Sequence, residues 1–261
     1  MLKQRIITAL IAIVALLLVL FFVPPAVAEL FVALVALAGA WEWSAFLKPR
    51  NQLVRIAFVA LVGLAIAALA LLWPDSTGIV LRLAIGWWLA ALIWAFFFPT
   101  PIPLALRWIC GVLVLVPLYT ALVTLYNVSP YLLLFALVIV WAADVGAYFS
   151  GKQFGRVKLA PSISPGKTWE GVLGGLLLVA ILSAVGNHWI GTNLAVLVPF
   201  CVGVAGISIV GDLTVSMFKR TSGIKDSGKL FPGHGGVLDR VDSVSAASPV
   251  FALGIGWMGL A

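Results

Sequence analysis

Apolar residues fill the chain in runs of about twenty, and polar residues gather in the short intervals between them. The runs cover 6–23, 30–47, 53–73, 79–98, 104–125, 130–149, 171–190, 193–215 and 244–261. A helix rises 1.5 Å per residue, so about 20 residues cross the roughly 30 Å hydrocarbon layer of a bilayer. Backbone polar groups have no water to bond there, which favours helices that satisfy them internally. The pattern predicts an all-α, polytopic integral membrane protein with about nine transmembrane helices. Pro24-Pro25 and Pro101-Ile-Pro103 mark connections, because proline breaks the helical hydrogen-bond ladder. The boundary at Pro99-Thr-Pro101, between the fourth and fifth runs, is the weakest. The first run follows Met1-Leu-Lys-Gln-Arg5 and ends near Ala26-Val-Ala28, as a signal peptide would. It is longer than a usual signal core and reads as a retained first helix.

Composition supports the bilayer as solvent. The chain is 63% hydrophobic and 10% charged, against about 45–50% and about 25% in soluble domains. A single membrane domain over 1–261 follows, with mainly apolar scaffold helices in 1–143. The formal charge of +7 has an ordinary membrane explanation, since basic residues collect in cytoplasmic loops beside anionic lipid heads. It implies no nucleic-acid partner. With the N-terminus cytoplasmic, Lys3, Arg5, Lys48, Arg50, Arg55, Lys152, Arg156, Lys158 and Lys167 all fall on the cytoplasmic side. Cys110 and Cys201 lie inside apolar runs and read as packing residues.

From Asp144 onward, every charged residue belongs to one of two islands, 144–170 and 212–242. Parity opens both to the same side, so they are free to build one site, and 144–261 reads as the catalytic half. Asp144 ends an apolar helix, where a carboxylate is either hydrated or part of a site. Gly166-Lys167-Thr168 looks like the end of a P-loop, but Pro161 replaces the required glycine and no preceding strand is predicted. Ser208, Asp212 and Ser216 recur at i, i+4 and i+8 and share a helical face that Lys219 and Arg220 continue to the water boundary. Asp239 and Asp242, at i and i+3, share another if the next helix begins there. Lys219, Arg220, Lys225, Lys229 and Arg240, among glycines and acids, suit a polyphosphate. Asp226 reads either as a turn residue or as a catalytic one. Glu170 reads either as a site neighbour or as an acid at a positive helix start. Gly171 and Gly175 read as a helix-packing pair. Glu42 has no role in this scheme.

The stretch 216–242 resembles the signature of the phosphatidate cytidylyltransferases, or CDP-diacylglycerol synthases. Ser216, Lys219, Arg220, Lys225, Asp226, Gly228, Pro232, His234, Gly235, Gly236, Asp239, Arg240 and Asp242 match that pattern without a gap. Ser164-Pro-Gly-Lys167-Thr168-Trp-Glu170-Gly171 resembles a second segment of the family. The resemblance implies transfer of the cytidylyl group of CTP to phosphatidic acid, giving CDP-diacylglycerol and pyrophosphate. It also implies catalytic roles for Asp212, Asp239, Lys219 and Arg240. Substrate contacts would come from Lys167, Thr168, Ser216, Arg220, Lys225, Lys229 and His234, the last on the family motif alone.

Magnesium is implied at Asp212 and Asp239, with Asp144 and Asp242 as further ligands. A second cation, a homodimer and the preference for cytosine are further implications of the family. Membrane lipids are the remaining partner, and the compact chain points to a bacterial inner membrane with the site facing the cytoplasm. Two rivals carry distinct signatures. A CTP-dependent lipid or polyprenol kinase would release CDP, and a transporter would place ionisable groups along mid-membrane positions.

Overall fold

A computed structural model describes residues 2–48, 51–228 and 235–260. Lys229 and His234 lie outside the described residues, as do Arg50 and Pro232. Among the described residues the chain forms nine α-helices: α1 (Leu2–Phe22), α2 (Pro25–Trp43), α3 (Gln52–Leu72), α4 (Thr77–Phe96), α5 (Leu104–Val128), α6 (Pro130–Phe154), α7 (Trp169–Ile190), α8 (Leu194–Ser222) and α9 (Leu238–Trp257). Seven of them, α2 to α8, are long and apolar enough to cross a membrane. The apolar part of α1 is the shorter Leu10–Phe22. The all-α membrane fold expected from the pattern is the one observed.

The sequence pattern missed one element. Between α6 and α7 the chain forms a small antiparallel hairpin of β1 (Lys158–Ala160) and β2 (Ser164–Thr168), with Lys158 opposite Thr168 and Ala160 opposite Ser164. Lys167 and Thr168 sit on β2 itself, not in a loop between strand and helix, so the P-loop comparison still fails. The hairpin is held by α8 and α7. Ile163 is buried against Leu213 and Met217 of α8. The Arg220 Nε donates to the Ile163 carbonyl at 3.1 Å, and the Val157 N–H donates to Glu170 of α7 at 3.1 Å.

Lipid and protein divide the helices between them. About two-thirds of the α5 span is buried within the protein, whereas α3 and α4 turn most of their surface outward. The last helix, α9, starts six residues before the predicted run, at Leu238 instead of 244. It carries Ser243, Ser245 and Ser248, all buried. Serines are tolerated because α9 packs on α4, α5 and α8 and so meets protein more than acyl chains. That surrounding lets the helix begin before the apolar run and carry polar residues within it.

Helices in lipid gain little from hydrophobic sorting, so close approach of backbones matters more. A Cβ on Gly175 would lie 2.5 Å from the Ala143 carbonyl, so glycine brings α7 against α6. The packing role expected of Gly171 and Gly175 is the one they have. On α8, a Cβ on Gly211 would lie 2.3 Å from the Asp242 carbonyl of α9. That contact sets Asp212 beside Asp242. Charged islands one and two therefore open at the same end of the bundle, while the Glu29–Asn127 hydrogen bond of 3.0 Å ties the α2 start to the end of α5.

Gly211→Val should force α8 from α9 and cost about 1–3 kcal/mol of stability. A thermal melt in detergent checks this. Gly203→Ala on the same helix, with open space around the new methyl, should melt no lower than the parent.

Candidate active site

A cavity of about 650 Å³ opens where α6, α7, α8, α9 and β2 converge. Asp144, Lys167, Asp212, Lys219, Asp239, Arg240 and Asp242 all line it, as do Thr168 and Asp226. The two islands thus build one site. Ala147, Val172, Leu176 and Ile209 line it as well, giving the same space an apolar wall.

Two ion pairs span its charged part. Lys167 from β2 meets the Asp212 Oδ2 of α8 at 2.6 Å, each side chain 26% exposed. Lys219 at the end of α8 meets the Asp239 Oδ1 of α9 at 2.8 Å, with exposures of 12% and 9%. Asp212 also accepts from the Ser216 hydroxyl at 3.1 Å, one turn along its own helix. Asp239 is the more heavily engaged acid, since its Oδ2 accepts from Ser227 N–H at 2.9 Å and Gly236 N–H at 3.0 Å. Asp144 of α6 and Asp242 of α9 line the same cavity as Asp212 of α8.

Other predicted residues take supporting places. The buried Thr168 caps α7, its Oγ1 accepting from Gly171 N–H at 3.2 Å. Ser216 serves Asp212, and Ser208 donates to its own helix at the Ala205 carbonyl, 2.8 Å away. Arg220 holds the hairpin. Lys225 is exposed on the segment after Gly223, the residue at φ 76° that ends α8. Glu170 braces the hairpin through the Val157 amide.

Two residues escaped the sequence pattern. Glu42, in the last turn of α2, is 7% exposed and accepts from Ser227 Oγ, Val237 N–H and Leu238 N–H at 2.9, 2.9 and 2.8 Å. A lone acid inside an apolar run was the available signal. Arg107 of α5 is buried, and its Nη1 donates to the Phe46 carbonyl at 2.7 Å. Trp43 Nε1 returns a bond to the Arg107 carbonyl at 2.9 Å. Phe218, next to Lys219, packs on Trp43 and Phe46 with ring centres 4.8 and 6.1 Å apart. Aromatic pairs of this kind add about 0.5–1.5 kcal/mol beyond burial, and they fix the end of α8 to α2.

Oxygen donors alone suit a hard cation. Among the described residues, no three His, Cys, Asp or Glu side chains stand at ligating distance of one ion. Magnesium does not need such a cage, because it is commonly held by one or two carboxylates together with phosphate oxygens and water. The acids of this cavity fit that mode.

The cytidylyltransferase family pattern matches residues 3–257, and the chain belongs to that family. A Pseudomonas aeruginosa protein named phosphatidate cytidylyltransferase is 47% identical over 261 residues, covering 97% of this chain and 96% of that protein. One of the same name from Haemophilus influenzae is 38% identical over 286 residues, covering 97% and 98%. A third so named, from Brucella suis, is 45% identical over 128 residues and covers 46% of this chain and 45% of that protein.

The two ion pairs should differ in worth. Lys219→Ala leaves a nearly buried carboxylate without its cation and should cost about 3 kcal/mol. Lys167→Ala, at the wetter pair, should cost about 1 kcal/mol or less. Melting temperatures of the two purified variants test the order.

Proposed function

We infer that this membrane protein transfers the cytidylyl group of CTP to phosphatidic acid, releasing pyrophosphate and leaving CDP-diacylglycerol in the bilayer. The observation that carries the reading is one cavity in which cations and acids from both islands meet beside an apolar wall. Family membership and the names of the full-length relatives agree with it.

Both reactants are polyanions, so neutralisation is the first requirement. Lys167, Lys219 and Arg240 are the cavity-lining cations suited to phosphate oxygens. An arriving triphosphate competes with Asp212 for Lys167 and so exchanges one ion pair for another. Asp212, with Asp144 and Asp242 lining the same cavity, would then be available to hold a magnesium ion. Magnesium bound there would offset charge on the phosphates and stabilise the transition state. Asp239 has both oxygens engaged and acts chiefly by holding Lys219 and the segment ends around Ser227 and Gly236.

An oxygen of the lipid phosphate attacks the α-phosphorus in line. A new P–O bond forms, the bond to the β-phosphate bridge breaks, and its electron pair leaves with pyrophosphate. A phosphate monoester is largely dianionic near neutral pH, so no strong general base is required. Acyl chains remain against Val172, Leu176 and Ile209, which saves exposing methylenes at about 0.8 kcal/mol each. The same reading places the protein in a bacterial inner membrane with the cavity on the cytoplasmic side, where its basic loops belong. A homodimer is part of it too, and chemical cross-linking in native membranes tests that state.

CTP labelled at the α- or the γ-phosphate separates the chemistries. Purified protein in detergent, given phosphatidate and magnesium, should move the α label into lipid and release one pyrophosphate per lipid formed. Chelation should stop turnover, and Asp212→Asn should lower it by roughly two orders of magnitude. Appearance of the γ label in lipid would instead establish a kinase and end this assignment.

A further inference from the structure

Glu42 belongs to neither charged island, yet it bonds to the segment that joins α8 to α9. It lies in the last turn of α2, where the helix dipole disfavours an acid. Its placement makes sense from the other side. The first backbone N–H groups of a helix lack partners within it, and no side chain of the α9 N-cap supplies one. Glu42 does so from 195 residues away, with Oε1 on Val237 N–H and Oε2 on Leu238 N–H. Negative charge at a helix N-terminus is favourable, more so where water is scarce.

The same carboxylate takes the Ser227 hydroxyl, whose residue also gives its amide to Asp239. Room for it depends on two glycines. A Cβ on Gly228 or on Gly236 would stand 2.1 Å from a Glu42 oxygen. What Glu42 holds still is therefore the start of α9 together with the stretch beside Asp226. On that first turn ride Asp239 and Arg240, with Asp242 following, and all three line the cavity. Holding α2 itself in place does not require Glu42, because Trp43 and the Phe46 carbonyl are already bonded to Arg107.

We propose that Glu42 is a positioning residue for cytidylyl transfer, a carboxylate from the scaffold half that aims the acids and the arginine of α9 into the phosphate cavity. It touches no reacting atom. The proposal rests on the reaction occurring in that cavity, and its test has an arm that needs no turnover.

Glu42→Gln keeps the shape of the side chain but turns an N–H2 donor toward backbone donors. In wild type and variant, kinetics with CTP and phosphatidate are measured beside hydrogen exchange of the detergent-purified protein. The expected result is a roughly ten- to hundredfold lower kcat, with each KM within about threefold of the parent. Exchange should quicken over 226–228 and 235–242 while α2 and α5 keep parental rates. Ser227→Ala, a milder change, should lower kcat roughly two- to tenfold and cost less when Glu42 is already replaced. Phe58→Leu, which loosens α3 against Trp108 of α5 away from the cavity, should lower the melting temperature and leave kcat in place.

Unchanged kcat in Glu42→Gln overturns the proposal. So does faster exchange spread evenly over all helices, or a Phe58→Leu enzyme that loses kcat as heavily. A wild-type protein that releases no pyrophosphate would strike the assignment of function, while the exchange comparison would still decide whether Glu42 fixes α9.

Discussion

Lys167 and Asp212 meet at 2.6 Å across a gap that only the folded bundle closes, one on a short strand and the other on a membrane helix. Each side chain keeps about a quarter of its surface in reach of solvent, so the pair fixes where the hairpin meets α8 more than it adds stability. The surrounding architecture serves this meeting. Glycine at 175 lets α7 lie against α6, glycine at 211 lets α9 lie against α8, and Ile163 pins the hairpin into α8. Removing any of these contacts would move apart the elements that bring Lys167 to Asp212. The site and the fold are therefore a single problem.

The scaffold half is less passive than its composition suggests. Through Trp43, Phe46 and Phe218 it grips the end of α8, and through Glu42 it grips the start of α9. The buried Arg107 ties α5 to the turn after α2. The helices that carry chemistry are thus clamped at their water-facing ends by helices that carry none. Rigid support at that level matters because phosphoryl chemistry depends strongly on the placement of charge.

Much of this was legible from the chain. Apolar runs located the helices, since the bilayer punishes any other backbone arrangement. Parity and the clustering of charge brought both islands to one end, and Asp212, Asp239, Lys167 and Lys219 do share a cavity. The hairpin was hidden because Ser164-Pro-Gly-Lys-Thr has no strand-like alternation, and its stability comes from contacts with α8 and α7 that are distant in sequence. The apolar run began α9 at 244, whereas a shared face for Asp239 and Asp242 required an earlier start, and the helix does begin at Leu238. Glu42 could be noticed as odd but not interpreted, for its partners lie 185 to 196 residues further on. Thr168 and Ser216 were placed near the right neighbours, although their hydroxyls serve a helix cap and Asp212.

A cavity lined both by charged residues and by Ala147, Val172, Leu176 and Ile209 draws on two reservoirs of different dimension. Its water-borne reactant arrives at a rate set by molarity in a volume. Its bilayer-borne reactant arrives by lateral diffusion in a sheet, so mole fraction among the surrounding lipids is the concentration that counts. Diluting the vesicles leaves that second quantity untouched, whereas diluting the lipid within each vesicle lowers it directly. Saturation of such a protein is therefore a property of the composition of its membrane.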